Sequence, residues 1–251
     1  MSKKAVIPLL TGATITLLAL PIVGTLRASA RTDERPAVAA QQSCDAYVAL
    51  TFDDGPTPLT GELLDVLADH GARATMFNVG TAVEEHPEMV QEQLDAGHAV
   101  ENHTRTHADL TKLTAEEVAE EITTANADLQ DAGAEPQWFR PPYGYTDERV
   151  KAAVAAAGLQ EVIWTTDTFD WQESSPQQLL DRALAVEPGG IILMHDGQQR
   201  TVDALPAILD ALADRGLCFG RIVPDTAEHS PAEWHTNTYK AVAGPWVDTE
   251  G

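Results

Sequence analysis

Basic residues are scarce in this sequence. It holds 16 lysines and arginines against 39 aspartates and glutamates, which gives a formal net charge of −23 at pH 7. Proteins that bind nucleic acid neutralise its phosphates with lysine and arginine, so this balance argues against a nucleic acid partner. The same excess of acid disfavours adhesion to anionic lipid and favours a soluble protein that tolerates salt.

The sequence also lacks the glycine patterns of nucleotide sites. No G-x-G-x-x-G follows the first apolar run of the folded part, and no phosphate-binding loop is present. Both patterns bring backbone N–H groups close to phosphate oxygens, and without them a nucleotide site has no support.

The N-terminus has the pattern of an export signal. Lys3 and Lys4 precede a long apolar stretch, and the segment ending at Ala30 has the small-x-small form of a cleavage site. We interpret residues 1–30 as a secretory signal peptide, with an uncleaved membrane anchor as the alternative. Residues 31–43 are polar and Ala-rich and are expected to be a linker. Both interpretations predict a folded part outside the cytoplasm, either secreted or attached to the cell surface.

Cysteine is nearly absent as well. The chain contains only Cys44 and Cys218, close to the two ends of the predicted domain. In an oxidising compartment an even count predicts one disulfide, and two unrelated buried thiols are the alternative.

An alternation of short apolar runs with amphipathic, Ala- and Glu-rich segments fills residues 44–225, and several of these segments end on glycine. The strand candidates are "YVALT", "ATMFNV", "HAVEN", "QWFR", "EVIWT", "GGIILM" and "FGRIV". Such alternation predicts parallel βαβ units in one large domain, which either a (β/α) barrel or a doubly wound open sheet would satisfy. The pattern is lost at Thr226, so residues 226–251 are predicted to be an irregular tail.

Five of these strands are followed by polar residues of the types that enzymes use. The segments are Phe52-Asp53-Asp54, His103 to His107, Pro141-Pro142-Tyr143-Gly144 after Arg140, Asp167 to Trp171, and His195-Asp196-Gly197. Because the carboxyl ends of parallel strands open on one face, the five segments should converge there.

A metal site is predicted from three of these residue types. His103 and His107 are four positions apart, which would put both imidazoles on one side of a helical turn. With a carboxylate from a neighbouring strand end they make a three-ligand site that leaves one position open. Of Asp53 and Asp54, one is expected to bind the metal and the other to accept a proton, with the Gly-Pro that follows turning the backbone. The histidines at helix ends or turns are expected to be structural: His70, His86 and His98.

The remaining polar residues have either structural or catalytic interpretations. Arg140 can hold a carboxylate in place, although a surface salt bridge would explain it equally. His195 can act as a general acid, and Asp170 can orient its imidazole and raise its basicity. Trp171 is either core or an apolar wall for a methyl group or sugar ring.

The segments "TFDDG", "HTRTH", "RPPYG", "DTFDW" and "LMHD", in this order, resemble the five motifs of the polysaccharide deacetylases, which form carbohydrate esterase family four and share the NodB homology domain. The resemblance extends roughly from Tyr47 to Val223. Within that family the chain looks most like secreted actinobacterial acetylxylan esterases and chitin-type deacetylases. It implies a distorted (β/α) barrel with about seven parallel strands in a single domain.

The resemblance also implies one divalent metal ion, zinc in most members and cobalt in some, and a role for each motif residue. Asp53 would be the general base and His195 the general acid. The other implied roles are metal ligation by Asp54, His103 and His107, orientation of Asp53 by Arg140 and of His195 by Asp170, an oxyanion contact from the Tyr143 N–H, and a pocket for the acetyl methyl lined by Trp171 and Leu193.

The function implied is that of a secreted metal-dependent deacetylase, expected to be a monomer without a protein partner. Its substrates would be N-acetylglucosamine polymers, such as chitin oligomers and peptidoglycan, or acetylxylan. A non-haem Fe(II) oxygenase also uses two histidines and one carboxylate, but the spare aspartate, His195 and the βα pattern speak against it. A non-catalytic carbohydrate-binding protein would be expected to lack Asp53 or His195, and both are present.

Overall fold

A curled parallel sheet lies at the centre of the computed structural model, which describes residues 44–224 and 239–242. The strands are β1 (Ala46–Gly55), β2 (Thr75–Asn78), β3 (Ala99–Asn102), β4 (Trp138–Phe139), β5 (Gln160–Glu161), β6 (Thr166–Asp167), β7 (Ile191–His195), β8 (Leu217–Phe219), β9 (Arg221–Pro224) and β10 (Tyr239–Val242). The helices are α1 (Thr60–Asp69), α2 (Gly80–Glu85), α3 (Pro87–Asp95), α4 (Ala115–Asp131), α5 (Glu148–Ala156), α6 (Pro176–Ala183) and α7 (Gln199–Asp214), with 3-10 turns at Leu110–Lys112 and Pro142–Gly144. The described residues belong to one compact unit, Val38–Gly251.

The sheet is a half-barrel with the strand order β5-β4-β3-β2-β1-β7-β6, and β8 pairs with the first residues of β1. All of these pairings are parallel. The predicted distorted barrel with about seven parallel strands is therefore confirmed.

The two faces of β1 show why the doubly wound alternative is wrong. Val48, Leu50 and Phe52 point outward into a core that they share with α1, α6 and α7. Ala49 points inward, because successive strand residues face opposite sides, and joins a cluster to which no described helix contributes a residue. A doubly wound sheet carries helices on both faces, whereas this one carries them on the convex face only.

Helix ends follow the sequence signals. Thr114 and Ser175 begin α4 and α6 with capping boxes, each side chain accepting from the backbone N–H three residues on. The glycines predicted to end helices have positive φ at five such positions: Gly71, Gly97, Gly133, Gly158 and Gly216. Over the described ranges, no helix is both long enough and apolar enough to span a bilayer.

Two strand predictions need correction. "EVIWT" is a link between β5, which pairs with β4, and β6, which pairs with β7 at the other end of the sheet. Residues 162–165 therefore run from one edge of the sheet to the other outside any described strand, despite their strand-like composition. The N–H of Val162 donates to Phe139 on β4 and that of Thr165 donates to Ile191 on β7, both at 2.9 Å. "FGRIV" is split at Gly220 into β8 and β9.

The tail contains a strand, contrary to the irregular structure predicted for it. Residues Tyr239–Val242 form β10, which pairs antiparallel with β9. Four residues of edge strand are too few to leave a periodic pattern that would predict it. The rest of the tail, and the signal peptide and linker predicted over residues 1–43, lie outside the described residues.

The predicted disulfide is present and joins the start of the domain to its end. Cys44 and Cys218 have Cα atoms 5.5 Å apart across 174 positions of sequence. In the chain-entropy model, a loop of this length stabilises the fold by at most about 5 kcal/mol.

Candidate active site

The strand ends bring the predicted site residues to one rim of the half-barrel. Asp53 lies beside His195 in the β1–β7 register, and its other neighbour in register is Phe77 on β2. His103 and Arg140 directly follow β3 and β4. The five motif segments thus share one face, as parallel topology requires.

Adjacent aspartates face one site because the backbone turns at Asp54. Its φ is 72°, a left-handed conformation that aspartate tolerates better than most residues, and the β1–β2 register shifts between Asp53 and Gly55. The turn therefore lies before the Gly-Pro pair at which it was predicted. Gly55 is needed for space, since a Cβ there would lie 2.7 Å from both Asn78 Oδ1 and Asp196 Oδ2.

Three ligand atoms converge beyond this turn. The structure places Asp54 Oδ1 3.5 Å from His103 Nε2 and 3.2 Å from His107 Nε2, and one ligand atom from each of the three residues lies within 4.8 Å of the others. Asp54 Oδ1 is buried and makes no hydrogen bond to any described residue. A buried acceptor facing two imidazoles suits a divalent cation, and an O/N/N donor set is typical of catalytic zinc.

The hydrogen bond at Nδ1 orients the ring of His103. This atom lies 2.7 Å from the carbonyl oxygen of Arg140, which can only accept. Nδ1 therefore carries the proton, and the lone pair of Nε2 faces Asp54. The ring is buried, so its orientation is fixed by the fold.

His103 and His107 lie in a loop, and the helical turn predicted for them is wrong. Thr104 and His107 have φ of 67° and 58°, which no right-handed helix contains. Glu121 on α4 accepts from the backbone N–H of Thr106 at 2.8 Å, and the hydroxyl of Thr104 accepts from the N–H of His107 at 3.0 Å. The two rings still meet, with centroids 5.0 Å apart.

Charge at the cluster favours deprotonated ligands. Burial raises the pKa of Asp54, but His103, His107 and His195 outweigh that effect and leave it at about 2. Burial, together with the charge of His103, lowers the pKa of His107. Metal binding requires a carboxylate and neutral imidazoles, and both shifts favour those forms.

Asp53 is held off the cluster by Arg140. Its Oδ1 accepts from Arg140 Nη1 at 2.7 Å, and the same Nη1 donates to Thr51 Oγ1 at 2.8 Å. Arg140 is fully buried, with its guanidinium 4.1 Å from the centre of the Phe77 ring. Burial lowers the pKa of Arg140, while Asp53 raises it. The second carboxylate oxygen, Oδ2, lies 3.7 Å from His103 Nε2 and so faces the site.

His195 is paired with a buried carboxylate. Its Nδ1 lies 2.7 Å from Asp170 Oδ1, and its backbone N–H donates to Asp170 Oδ2 at 2.7 Å. Burial lowers the pKa of His195, but the hydrogen bond and charge of Asp170 outweigh it, and Asp53 and Asp54 add to them, giving about 9. The imidazole is therefore protonated at neutral pH and can donate from Nε2.

Tyr143 lies in the left-handed region, with φ 63°, inside the 3-10 turn that follows Arg140. Its backbone N–H makes no hydrogen bond to another described residue and so can bind a ligand. The phenol ring packs edge-on against His107, with centroids 4.7 Å apart.

The two predicted pocket residues differ in burial. Leu193 is buried on β7, one inward-facing position before His195. It therefore lies on the same face of β7 as the imidazole, and its role in an acetyl pocket stays a prediction. Trp171 is 54% exposed, and its ring lies 6.2 Å from that of Phe169 at the rim. This exposure rules out the core interpretation, and the role of Trp171 as an apolar wall for a substrate stays a prediction.

Asp196 has a structural role that is not predicted from the sequence. It is buried, accepts from the hydroxyls of Thr57 and Thr60, and donates its N–H to the carbonyl oxygen of Asp53 at 2.8 Å. It thus secures the segment that leaves Asp54. The only signal was its place directly after His195. The three histidines predicted to be structural lie away from the cluster, and His98 is buried against the N–H of Ala74.

Known proteins resemble the chain across this site. The polysaccharide deacetylase family model matches residues 40–162. A chitooligosaccharide deacetylase from Bradyrhizobium sp. (strain ANU 289) is 39% identical over 187 residues, covering 67% of this chain and 85% of that protein. The bifunctional xylanase/xylan deacetylase of Cellvibrio japonicus is 38% identical over 187 residues, 73% of this chain, but the match spans only 28% of its own length.

A solved structure agrees in fold. The family 4 carbohydrate esterase from Streptomyces lividans, determined in complex with acetate, superposes with a TM-score of 0.74 and 39% identity, covering 80% of this chain and 100% of that one. Identity at this level over nearly whole domains sets aside the Fe(II) oxygenase, and the presence of both Asp53 and His195 speaks against the non-catalytic carbohydrate-binding protein. The chain therefore belongs to the polysaccharide deacetylase family, the family 4 carbohydrate esterases, and is an enzyme that hydrolyses acetyl groups from polysaccharides.

Proposed function

We propose that this enzyme is a secreted, zinc-dependent deacetylase of N-acetylglucosamine polymers, with acetylxylan as a second substrate. The observation that carries the metal dependence is the convergence of Asp54, His103 and His107, whose ligand atoms lie within 4.8 Å of one another. The proposed substrates follow the similarity to a chitooligosaccharide deacetylase and to a xylan deacetylase.

A divalent ion held by these three residues would polarise the acetyl carbonyl and lower the pKa of a water molecule at the site. Asp53 then accepts a proton from the water as its oxygen attacks the acetyl carbon. Arg140 keeps this carboxylate oriented through its 2.7 Å contact with Oδ1, which leaves Oδ2 for the proton.

Two groups act on the other side of the carbonyl. The N–H of Tyr143 donates to the carbonyl oxygen, which becomes negative during the attack. One such donor lowers the activation barrier by about 3 kcal/mol. His195 donates a proton to the nitrogen or oxygen that leaves, as the bond to the acetyl carbon breaks and acetate forms. An amide needs this proton more than an ester does, since an amide anion is a very poor leaving group.

Acetate release before and after metal removal tests the proposal. We expect protein stripped by a chelator to be inactive on chitin oligomers, peptidoglycan and acetylxylan, and zinc or cobalt to restore it. Asp53→Asn should abolish acetate release with metal present, and Asp181→Asn, a charge-matched change on α6, should not. Full activity of the stripped protein, or of Asp53→Asn, would contradict the mechanism.

Export is part of the same proposal. It is supported by the N-terminal signal pattern and by the disulfide between Cys44 and Cys218, which requires an oxidising compartment to persist. Mass spectrometry of protein from the culture medium should show a chain that begins near residue 31. An intact chain in the membrane fraction would indicate the anchor, and reduced protein confined to the cytoplasm would refute export.

A further inference from the structure

Exposed aromatic side chains are concentrated at the rim of the site. The large hydrophobic side chains that are exposed among the described residues are Tyr143, Tyr145, Phe169 and Trp171. All four belong to segments that follow strand ends of the site, after β4 and β6. Single exposed aromatics are ordinary, but a group confined to one functional face indicates a binding surface.

Tyr145 is an exposed aromatic residue with no role in the proposed catalytic mechanism. It is 54% exposed and lies beside Tyr143, with centroids 5.6 Å apart and planes inclined by 42°. Tyr143 in turn contacts His107 at 4.7 Å. A ligand that packs on Tyr145 would therefore be separated from the metal cluster by the Tyr143 ring. It would lie next to the acetyl group under attack without covering it.

The loop that carries the two rings is held in place. The N–H of Tyr145 donates to the carbonyl of Pro142 at 3.1 Å, and the hydroxyl of Thr146 donates to Glu161 at 2.6 Å. Gly144, at φ 69°, lies so close to Trp164 that a Cβ would approach its ring to 3.0 Å. A ligand that binds a surface fixed in this way loses little free energy to ordering it.

We infer that Tyr145, with the exposed part of Tyr143, forms a sugar-binding subsite for the residue next to the one that loses its acetyl group. A pyranose has C–H faces that pack on an aromatic ring and hydroxyls at its edge that stay in water or bond to a phenol. The inference rests on the proposed function and adds to it a preference for chains over single sugars. Phe169 offers less free surface, because the guanidinium of Arg182 lies 5.4 Å from its ring centre.

The test compares a substrate that is long enough to reach this subsite with one that is too small to reach it. We measure kcat/KM for an acetylated chitin hexamer and for 4-nitrophenyl acetate with zinc-loaded protein. In Tyr145→Ala the ratio of the two constants should fall about tenfold, the loss expected from one aromatic packing contact. Tyr145→Phe should keep the ratio, and Tyr145→Leu, apolar but not flat, should lose most of it.

The outcomes separate the subsite from the proposed function. An equal loss on both substrates in Tyr145→Ala would mean a structural role, and an unchanged ratio would mean no contact with the chain; either overturns the subsite alone. Wild-type protein that releases acetate from neither substrate would overturn the proposed function itself, and the subsite with it. Lys151→Ala, a change on exposed α5, is the control and should keep the wild-type ratio.

Discussion

The hydroxyl of Thr60, the first residue of α1, donates a 2.5 Å hydrogen bond to Oδ2 of Asp196, the residue after β7. Thr57 donates to the other oxygen at 2.8 Å. The carboxylate therefore fastens the loop that follows Asp54 to the strand end that carries His195. Together with the β1–β7 pairing, this side chain positions the metal ligand Asp54 relative to the proposed general acid His195.

We predict that Asp196→Ala weakens zinc binding at least tenfold, the usual effect of losing a group that orients a ligand. Without the carboxylate, Thr57 and Thr60 lose their acceptor, and the turn at Asp54 is less well fixed. Competition with a chromogenic chelator measures the affinity. Asp147→Ala, which removes the cap of α5, should lower the stability slightly and leave zinc affinity unchanged. Equal zinc affinities of Asp196→Ala and wild type would refute the positioning role.

Arg140→Met should destabilise the metal-free protein by about 3–5 kcal/mol, because it leaves the buried Asp53 carboxylate without a partner. Adding Asp53→Asn removes the unpaired charge, so the double variant should recover part of that loss. Neither protein should release acetate, since the proposed base is misplaced or absent. Urea unfolding in chelator gives the stabilities. A double variant no more stable than Arg140→Met would mean that the pair does not interact as the 2.7 Å contact suggests.

Asp170→Asn should shift the alkaline limb of the kcat/KM profile toward neutral pH. With the carboxylate present the pKa of His195 is about 9, so the imidazole stays protonated up to that pH. Without the negative charge of Asp170, less opposes the effect of burial on His195, so the pKa of the imidazole falls. The general acid then loses its proton at a lower pH. NMR titration of the His195 ring checks the same shift directly.

The control for this change is Thr201→Val. It removes a hydrogen bond to Asp170 Oδ2 but keeps the carboxylate charge. Its alkaline limb should stay close to that of wild type. If Asp170→Asn and Thr201→Val gave the same profile, the charge of Asp170 would not control the protonation of His195.

The sequence predicted which residues meet, because one rule of topology is enough for that. Parallel strands end on one face, so Asp53, His103, Arg140 and His195 had to be neighbours once the strands were recognised. The disulfide followed from a count of two cysteines in a chain that is predicted to be exported. The barrel itself came from the family resemblance, since strand–helix alternation alone fits two architectures.

Local backbone conformation could not be predicted in the same way. The left-handed φ at Asp54 and the loop between His103 and His107 depend on contacts with distant residues, such as Glu121 on α4. Residues 162–165 look like a strand but run from one edge of the sheet to the other, because β5 and β6 join opposite ends of the sheet. In each case a tertiary contact overrides a local pattern.

Acid sensitivity of the fold should depend on His98, a buried histidine remote from the metal cluster. Its Nδ1 accepts from the N–H of Ala74 at 3.0 Å, which requires that Nδ1 carry no proton. Burial, and then the charge of Arg73, lower its pKa to about 4. In the unfolded chain the pKa returns to about 6.5, so the unfolded state binds the proton first as pH falls. The contribution of His98 to the free energy of unfolding is therefore fully present above pH 6.5 and is lost as the pH falls toward 4.

We predict that wild type loses about 3 kcal/mol through this residue between pH 7.5 and pH 4, and that His98→Asn avoids that loss, because an amide oxygen can accept from Ala74 without titrating. Urea unfolding of metal-free protein at several pH values gives the slope of the free energy of unfolding against pH. Chelator is present throughout, so that metal binding does not contribute. His86→Asn changes a histidine whose side chain is 45% exposed and should retain the wild-type slope. The same slope in His98→Asn and wild type would show that the buried imidazole does not bring about acid unfolding, which would then have to arise from the buried carboxylates.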